Sequence, residues 1–281
     1  MAREHPEQIS PTAHYTGYVW YAHGQSHDAF ATRQGRWMYQ ALRGANVIAK
    51  AARLPTLEGM LLARHRLIDQ RLTDAIEGGM VSQIVEVACG LSPRGWRFAK
   101  EYGDKITYVE ADLPGMLANK RRILAELGGE TEHHYTREVD AVIDDGPTSI
   151  DAICGLLDPD KGTAIITEGL VNYFDRATVQ TMWGRFATAL GRFPTGMYYS
   201  DLITKEGNGG PMIVGFAYLL SAFVRGKVHI HFGSNQEAEN ALAEAGFDAA
   251  VLDPREFAEA LPNLELAGAG RVRIIEAVAR R

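Results

Sequence analysis

A small-residue loop and acids at the ends of apolar runs are the parts of this 281-residue sequence that could do chemistry. The loop reads Val85-Glu86-Val87-Ala88-Cys89-Gly90-Leu91-Ser92. Small residues at Ala88 and Gly90 let the backbone approach a ligand closely, and Glu86 can orient that ligand. The loop is not G-x-G-x-x-G, because Ala88 stands where a first glycine would and Pro93-Arg94 follow. A tight strand-to-helix turn would read the same way. About 20 residues on, Tyr108-Val109-Glu110-Ala111-Asp112 ends in an acid that can accept hydrogen bonds from both hydroxyls of an adenosine ribose. Asp112 equally suits the N-cap of a helix that begins near Pro114. His229 and His231 alternate on the strand-like KVHIHF and would share a face, but no third ligand accompanies them and no metal site is expected.

These residues must be held by elements the pattern also predicts. QIVEVA (83–88), KITYVE (105–110), GTAIIT (162–167) and TGMYYSDLI (195–203) read as buried strands, with a weaker strand near His134–Val139. Helices lie between them at 116–127, 150–157 and 176–190, which implies right-handed crossovers and a parallel sheet. In such a sheet, ligands sit beyond the carboxyl ends of the strands, where strand order reverses. The tail holds a helix at Gln236–Ala245, a Gly246-Phe247 step, a strand AAVL (249–252), a helical turn at Arg255–Leu261 and a final strand RVRIIEAVA (271–279). That ending suits an antiparallel finish, as in methyltransferases rather than dinucleotide dehydrogenases. Ahead of the sheet, LEGMLLARHRLIDQRLTDAIEGG repeats Leu57, Leu61, Leu62, Ile68, Leu72 and Ile76 at helical spacing and stops at Gly78-Gly79.

Composition narrows the classes. The chain carries 29 basic and 35 acidic side chains, a net charge of −6, which argues against a surface built for nucleic acid or an anionic membrane. Cys89 and Cys154 are too few for a disulfide scaffold. The polar start lacks the apolar core of a signal peptide, and the most apolar run, Met212–Val224, is too short to span a bilayer. A cytoplasmic protein is expected.

VEVACGLSPRGWRF, YVEADLPGMLANKRRIL and ITEGLVNYF, in that order, resemble the leucine carboxyl methyltransferase family, which also holds bacterial polyketide and small-acid O-methyltransferases of secondary metabolism. The resemblance runs from about Arg64 to Leu190 and more loosely to the C-terminus. Its specific parts are E-x-D-L-P…K and E-G-x-x-x-Y-[FL]. It implies an α/β fold with a Rossmann-like class I methyltransferase sheet, mostly parallel with an antiparallel last strand, under an N-terminal helical cap. Residues 1–80 would form that cap or lid, and 81–281 the S-adenosyl-L-methionine-binding core.

The same resemblance implies roles. RHRLID (64–69) puts Arg64 on the carboxylate of S-adenosyl-L-methionine, with Arg66 as a rival. Glu86, Ala88 and Gly90 would line its methionine and ribose side, and Asp112 would bind the ribose, with Glu110 supporting it or acting in its place. Asp140 and Ala141 would meet the adenine, Asp144 and Asp145 being nearby alternatives. Glu168 would lie beside the methionine moiety, with Tyr173 on the substrate side. The sequence departs from the family at Ala88, where a glycine is usual, and at Ser92, where an aspartate is.

Methyl transfer from a sulfonium needs a lone pair placed opposite the departing sulfur, so positioning and desolvation dominate. A carboxylate acceptor is already ionised at neutral pH; a phenol needs a base. No base is evident from spacing. The aromatic N-terminal segment with His14, Tyr15, Tyr18, Trp20, Tyr21 and His23 could form a lid, and Tyr198–Asp201 with Asn208–Met212 another wall. The expectation is an O-methyltransferase that esterifies a small-molecule carboxylate, in a chain for which a homodimer is compatible. The alternatives are a phenolic O-methyltransferase using His14 or His23, a cofactor-binding protein that does not methylate and, more distantly, an NAD-dependent dehydrogenase.

Overall fold

A computed structural model describes residues 11–206, 208, 229–261 and 263–281. Among these residues seven strands form one sheet in the order β3-β2-β1-β4-β5-β7-β6. They are β1 (Gln83–Val87), β2 (Thr107–Asp112), β3 (His134–Glu138), β4 (Thr163–Thr167), β5 (Gly196–Leu202), β6 (Phe247–Leu252) and β7 (Arg273–Ala279). The strands from β1 to β5 run parallel, and β7 pairs antiparallel with both β5 and β6. Every residue of β1, β4 and β5 is buried, as expected of central strands covered on both faces. The edge strand β6 alternates instead.

The described helices are α1 (Pro11–Ala22), α2 (Arg33–Ala51), α3 (Leu57–Glu77), α4 (Arg94–Tyr102), α5 (Pro114–Glu126), α6 (Ile150–Cys154), α7 (Arg176–Leu190), α8 (Asn235–Glu244) and α9 (Leu266–Ala269). Their starts are chemically marked. Thr56 caps α3 by accepting from Gly59 N, Asp175 caps α7 from Thr178 N, and Ser234 caps α8 from Glu237 N. One face of the sheet packs on α6, α7 and α8 through Val85, Ile165, Trp183, Phe186 and Leu242. The other packs on α1, α3 and α4 through Ile84, Tyr108, Ile166, Leu67, Leu72 and Phe98. The apolar positions of α3 therefore belong to the core of the sheet, while α2 lies outside, packed chiefly on α1. Among the described residues no helix is long and apolar enough to cross a membrane.

The strand expected over KVHIHF is corrected. His229–Phe232 is irregular chain, because its backbone is used elsewhere. His229 N donates to Asn172 O, Asn172 Nδ2 donates to His229 O, and Lys205 N donates to Phe232 O. Phe232 stacks on Trp183 at 5.7 Å, and the rings of His229 and His231 stack at 5.8 Å. The Met212–Val224 run, and Asn208–Met212 apart from Asn208, lie outside the described residues.

Candidate active site

Strand register places four residues in one row at the carboxyl edge of the sheet. Val87 is level with Ala111 and Thr167, and Thr167 with Ser200. The next residues along these chains are Asp112, Ala88, Glu168 and Asp201. The row spans the point between β1 and β4 where strand order reverses, the usual ligand position in open α/β sheets.

Arg64 reaches this row from α3. Its Nε donates to Glu168 Oε1 at 3.0 Å and its Nη1 to Asp201 Oδ2 at 2.9 Å. Gly169 N donates to the other oxygen of Asp201 at 2.5 Å, with φ at +74°. A Cβ at that position would meet Arg64 Nη2 at 3.1 Å, so both backbone and space select glycine. The Glu-Gly pair thus has a physical meaning: the acid holds the arginine and the glycine makes room for it. Arg66, the rival, points to a separate cleft lined by His23, Lys50 and Glu265.

Behind Glu168 lies a cluster that the sequence did not announce. Arg94, fully buried, donates to Glu168 Oε2 at 2.6 Å, to Glu86 at 2.6 Å and to Asp69 at 2.5 Å. Arg97 also pairs with Asp69. His65 Nδ1 is 2.9 Å from Glu168 Oε2, and the His65 ring lies 4.5 Å from that of Trp20 on α1. Burial by itself would push the Glu168 carboxyl up. The His65, Arg94 and Arg64 contacts outweigh it and hold the group well below the ordinary carboxylate range. Asp69 is held down to about 2 in the same way, against its own burial, by His65, Arg97 and Arg94. Four carboxylates (Asp69, Glu86, Glu168, Asp201) face three guanidiniums (Arg64, Arg94, Arg97) in this cluster. His65 and Asp69 share one helix face with the i,i+4 spacing of a pair, a signal available in the sequence. Asp201 was marked in the sequence only as the end of the Tyr198–Asp201 wall; its pairing with Arg64 required β5 beside β4.

Asp112 accepts from Gly90 N at 2.8 Å and Leu113 N at 2.7 Å, which aims its carboxylate across the small-residue loop. Burial raises its carboxyl, and these two N–H groups offset part of that rise. Glu110, the alternative, lies two residues back with no exposure. It is 2.7 Å from His134 Nε2, paired with Lys120, and so close under α4 that a Cβ at Gly95 would sit 2.6 Å from its carboxyl. Lys120 also donates to Ser92 O at 2.6 Å, tying the loop to β2. In E-x-D-L-P…K the glutamate and lysine are therefore a buried pair, and Asp112 is the acid at the loop. Glu86 is similarly turned inward, accepting from Arg94 and from Tyr108 Oη at 2.9 Å, which leaves its backbone at the strand end. Ala88 takes φ at +55°, a left-handed conformation that a glycine adopts without strain.

Asp140 accepts from Val142 N at 3.1 Å and Ala141 is buried, both just beyond β3. Asp144 is exposed and bound to Arg185 on α7, and Asp145 is exposed. Helix α1 covers the loop: a Cβ at Gly90 would lie 3.9 Å from that of Ala13, and one at Gly17 3.3 Å from Leu91 Cβ. Tyr173, partly exposed, meets Thr12 of this helix and stands near Arg64 and Asp201. His14 Nδ1 is 2.8 Å from Thr32 Oγ1, with its imidazole pKa lowered by burial. Tyr18 packs on Tyr39 and Tyr21 at 5.2 and 5.5 Å, and His23 Nε2 is 3.0 Å from Glu58 Oε1.

Along this edge the acids Asp112, Glu168 and Asp201 outnumber the one guanidinium that reaches the row from α3. The leucine carboxyl methyltransferase model matches residues 19–187. Over 114 residues the chain is 38% identical to a protein of Mycolicibacterium gilvum (strain PYR-GCK) assigned as an S-adenosyl-L-methionine-dependent methyltransferase. That stretch is 40% of this chain and 35% of the relative, about a third of its length. Among solved structures, the fold is like that of a protein from Thermobifida fusca YX described as a methyltransferase (TM-score 0.63, 15% identity, 99% of this chain and 96% of that one). It is equally like a DUF574 family protein from Streptomyces avermitilis (TM-score 0.63, 16% identity, 97% and 98%). Magnesium protoporphyrin IX methyltransferase from Synechocystis, solved with bound SAH, is similar over 88% of this chain and 99% of its own (TM-score 0.53, 10% identity). The row of acids and the motifs that build it fall within or beside the matched segment, and the chain belongs to the leucine carboxyl methyltransferase family of S-adenosyl-L-methionine-dependent enzymes.

Proposed function

We propose that this protein is an O-methyltransferase that esterifies a carboxylate of a small molecule. The observation that carries the reading is the state of Glu168. Its two oxygens are occupied by Arg64, Arg94 and His65, and its carboxyl is held far below the ordinary range. Such a carboxylate is a poor base and a strong electrostatic anchor. His65, the histidine of the cluster, is shut off from solvent against Glu168, and His14 and His23 sit on Thr32 and Glu58 away from the row. A carboxylate acceptor is already ionised at neutral pH and needs no base to become a nucleophile.

In this reading Arg64 receives the amino-acid carboxylate of S-adenosyl-L-methionine. Glu168 and Asp201 favour its cationic part, Asp112 takes the ribose hydroxyls, and Asp140 with Ala141 borders the adenine. The backbones of Glu86, Ala88 and Gly90 line the methionine and ribose side. The bound donor supplies a methyl group on a sulfonium, taken by the acceptor oxygen through in-line displacement. Helix α1, backed by α2, acts as the lid, with Tyr173 bridging lid and site through Thr12. Its closure strips water from the acceptor oxygen, which strengthens every charge interaction inside.

A screen of matched carboxylic acids and phenols with methyl-labelled donor tests this directly. Methyl esters should form, with a rate that stays level above the acceptor's own pKa. Turnover confined to phenols, with an inflection of histidine type, would overturn the carboxylate reading. Donor binding without transfer to any acceptor would point to a non-methylating protein.

A further inference from the structure

Helix α2 carries an outer face that nothing else in the described chain covers. Trp37 is 72% exposed, Ile48 71% and Val47 60%, the largest apolar exposures on any one described helix. Trp37, Ala41, Gly44, Ile48 and Ala51 follow one another at steps of four and three residues, the spacing of a helix-pairing seam. A Cβ at Gly44 would meet no atom within 4 Å, so a neighbouring backbone has room to approach. The opposite side of the helix, with buried Gly35 and Met38, faces α1.

Charge on this helix is one-sided. From Arg33 to Ala51 there is no acid. Arg33, Arg36, Arg43 and Arg53 are all exposed and, among the described residues, form no ion pair with a carboxylate. Arg36 and Arg43 stand seven residues apart along one flank of the seam. Such a concentration of cations on a chain of net charge −6 marks a local surface with its own partner.

We propose that the outer face of α2 docks an acidic amphipathic helix of a separate protein. An anionic bilayer fits less well. Between Trp37 and Ile48 the seam narrows to Ala41 and Gly44, which admit a helix closely, and the acidic remainder of the chain would be repelled by an anionic bilayer. A second copy packed antiparallel about a two-fold axis would set the Arg36–Arg43 flank against itself. The inference stands apart from the methyl-transfer reading.

The probe is a stapled, monomeric helical peptide with leucines at four-three spacing flanked by glutamates; its counterpart has lysines in their place. Binding to the intact protein is followed by tryptophan fluorescence at about 0.15 M salt. The glutamate peptide should bind, and Arg36→Glu with Arg43→Glu should weaken it by about tenfold or more. The lysine peptide should bind the reversed variant and not the parent. Unchanged melting temperatures establish that the exposed substitutions leave the fold intact. No binding of the glutamate peptide, or binding indifferent to charge reversal, would overturn the proposal. So would partition onto phosphatidylglycerol vesicles that the reversal abolishes, or a concentration-dependent dimer broken by Ile48→Asp.

Discussion

Arg64 and Glu168, 104 residues apart, meet with Nε 3.0 Å from Oε1, and Asp201 grips the same guanidinium from its other side. All three are nearly shut off from solvent. Removing the arginine leaves two buried acids without their shared partner, so Arg64→Met should cost about 3–5 kcal/mol in urea unfolding. Arg64→Lys keeps the charge and loses the planar fork. It should retain more stability than Arg64→Met while still reducing the thermal shift produced by S-adenosylhomocysteine. Equal stability of Arg64→Met and the parent would show that the arginine is not anchoring this row.

Asp112 is the acid presented to the loop by two backbone N–H groups. S-adenosylhomocysteine at 100 times its dissociation constant should stabilise the parent by about 2.7 kcal/mol. Asp112→Ala should abolish that gain at the same ligand concentration, read as the loss of a melting-temperature shift. A full shift in the variant would remove Asp112 from the ligand site.

The Glu110–Lys120 pair has no solvent access on either side. Lys120→Met strands the carboxylate with His134 alone and should destabilise by about 3–5 kcal/mol, whereas Lys120→Met with Glu110→Leu should recover much of the loss. Additive losses in the double-mutant cycle would mean the two residues do not act as a pair.

Ala88 holds a left-handed backbone at φ +55°. Ala88→Gly relieves a strain of about 1–2 kcal/mol but adds freedom to the unfolded chain. The expected net effect is a stabilisation of up to about 1 kcal/mol, a melting-temperature rise of roughly 2 °C. A lower melting temperature would contradict the strained-loop assignment.

Acid should weaken the fold through Asp69. Its carboxyl is shifted from an ordinary 3.8 to about 2, against its own burial, by His65, Arg97 and Arg94. Because the folded value is the lower one, Asp69 contributes its stability above 3.8 and loses it as pH falls through about 2. Glu168 acts with the same sign, while the raised Asp112 works the opposite way, its cost easing as pH falls. Urea titrations should show stability dropping across that window, and Asp69→Asn should flatten the drop. An unchanged slope in the variant would rule Asp69 out as the source.

The sequence by itself did not announce α1, α2 and α4, but it determined the succession of the seven strands, the helices α3, α5, α6, α7 and α8, the antiparallel finish and the family. Each of these is written in local signals: apolar runs of strand length, helical periodicity in 57–77, a Gly-Phe step, and motifs only a few residues long. As candidates, Asp112 was legible because it ends a strand whose carboxyl end faces the usual crevice, and Glu168 through the E-G motif of the family. Tertiary structure alone decided the partners. Arg64 faces Glu168 and Asp201 because α3 crosses β4 and β5, which are adjacent only once the sheet is assembled. Glu110 lies buried under α4 rather than facing the loop because Gly95 lets α4 settle on it and Lys120 neutralises it there. The KVHIHF segment has strand periodicity, yet Asn172 and Lys205 take its backbone hydrogen bonds. Periodicity reports which way a residue faces within its own element; which charge it meets depends on register between segments a hundred residues apart.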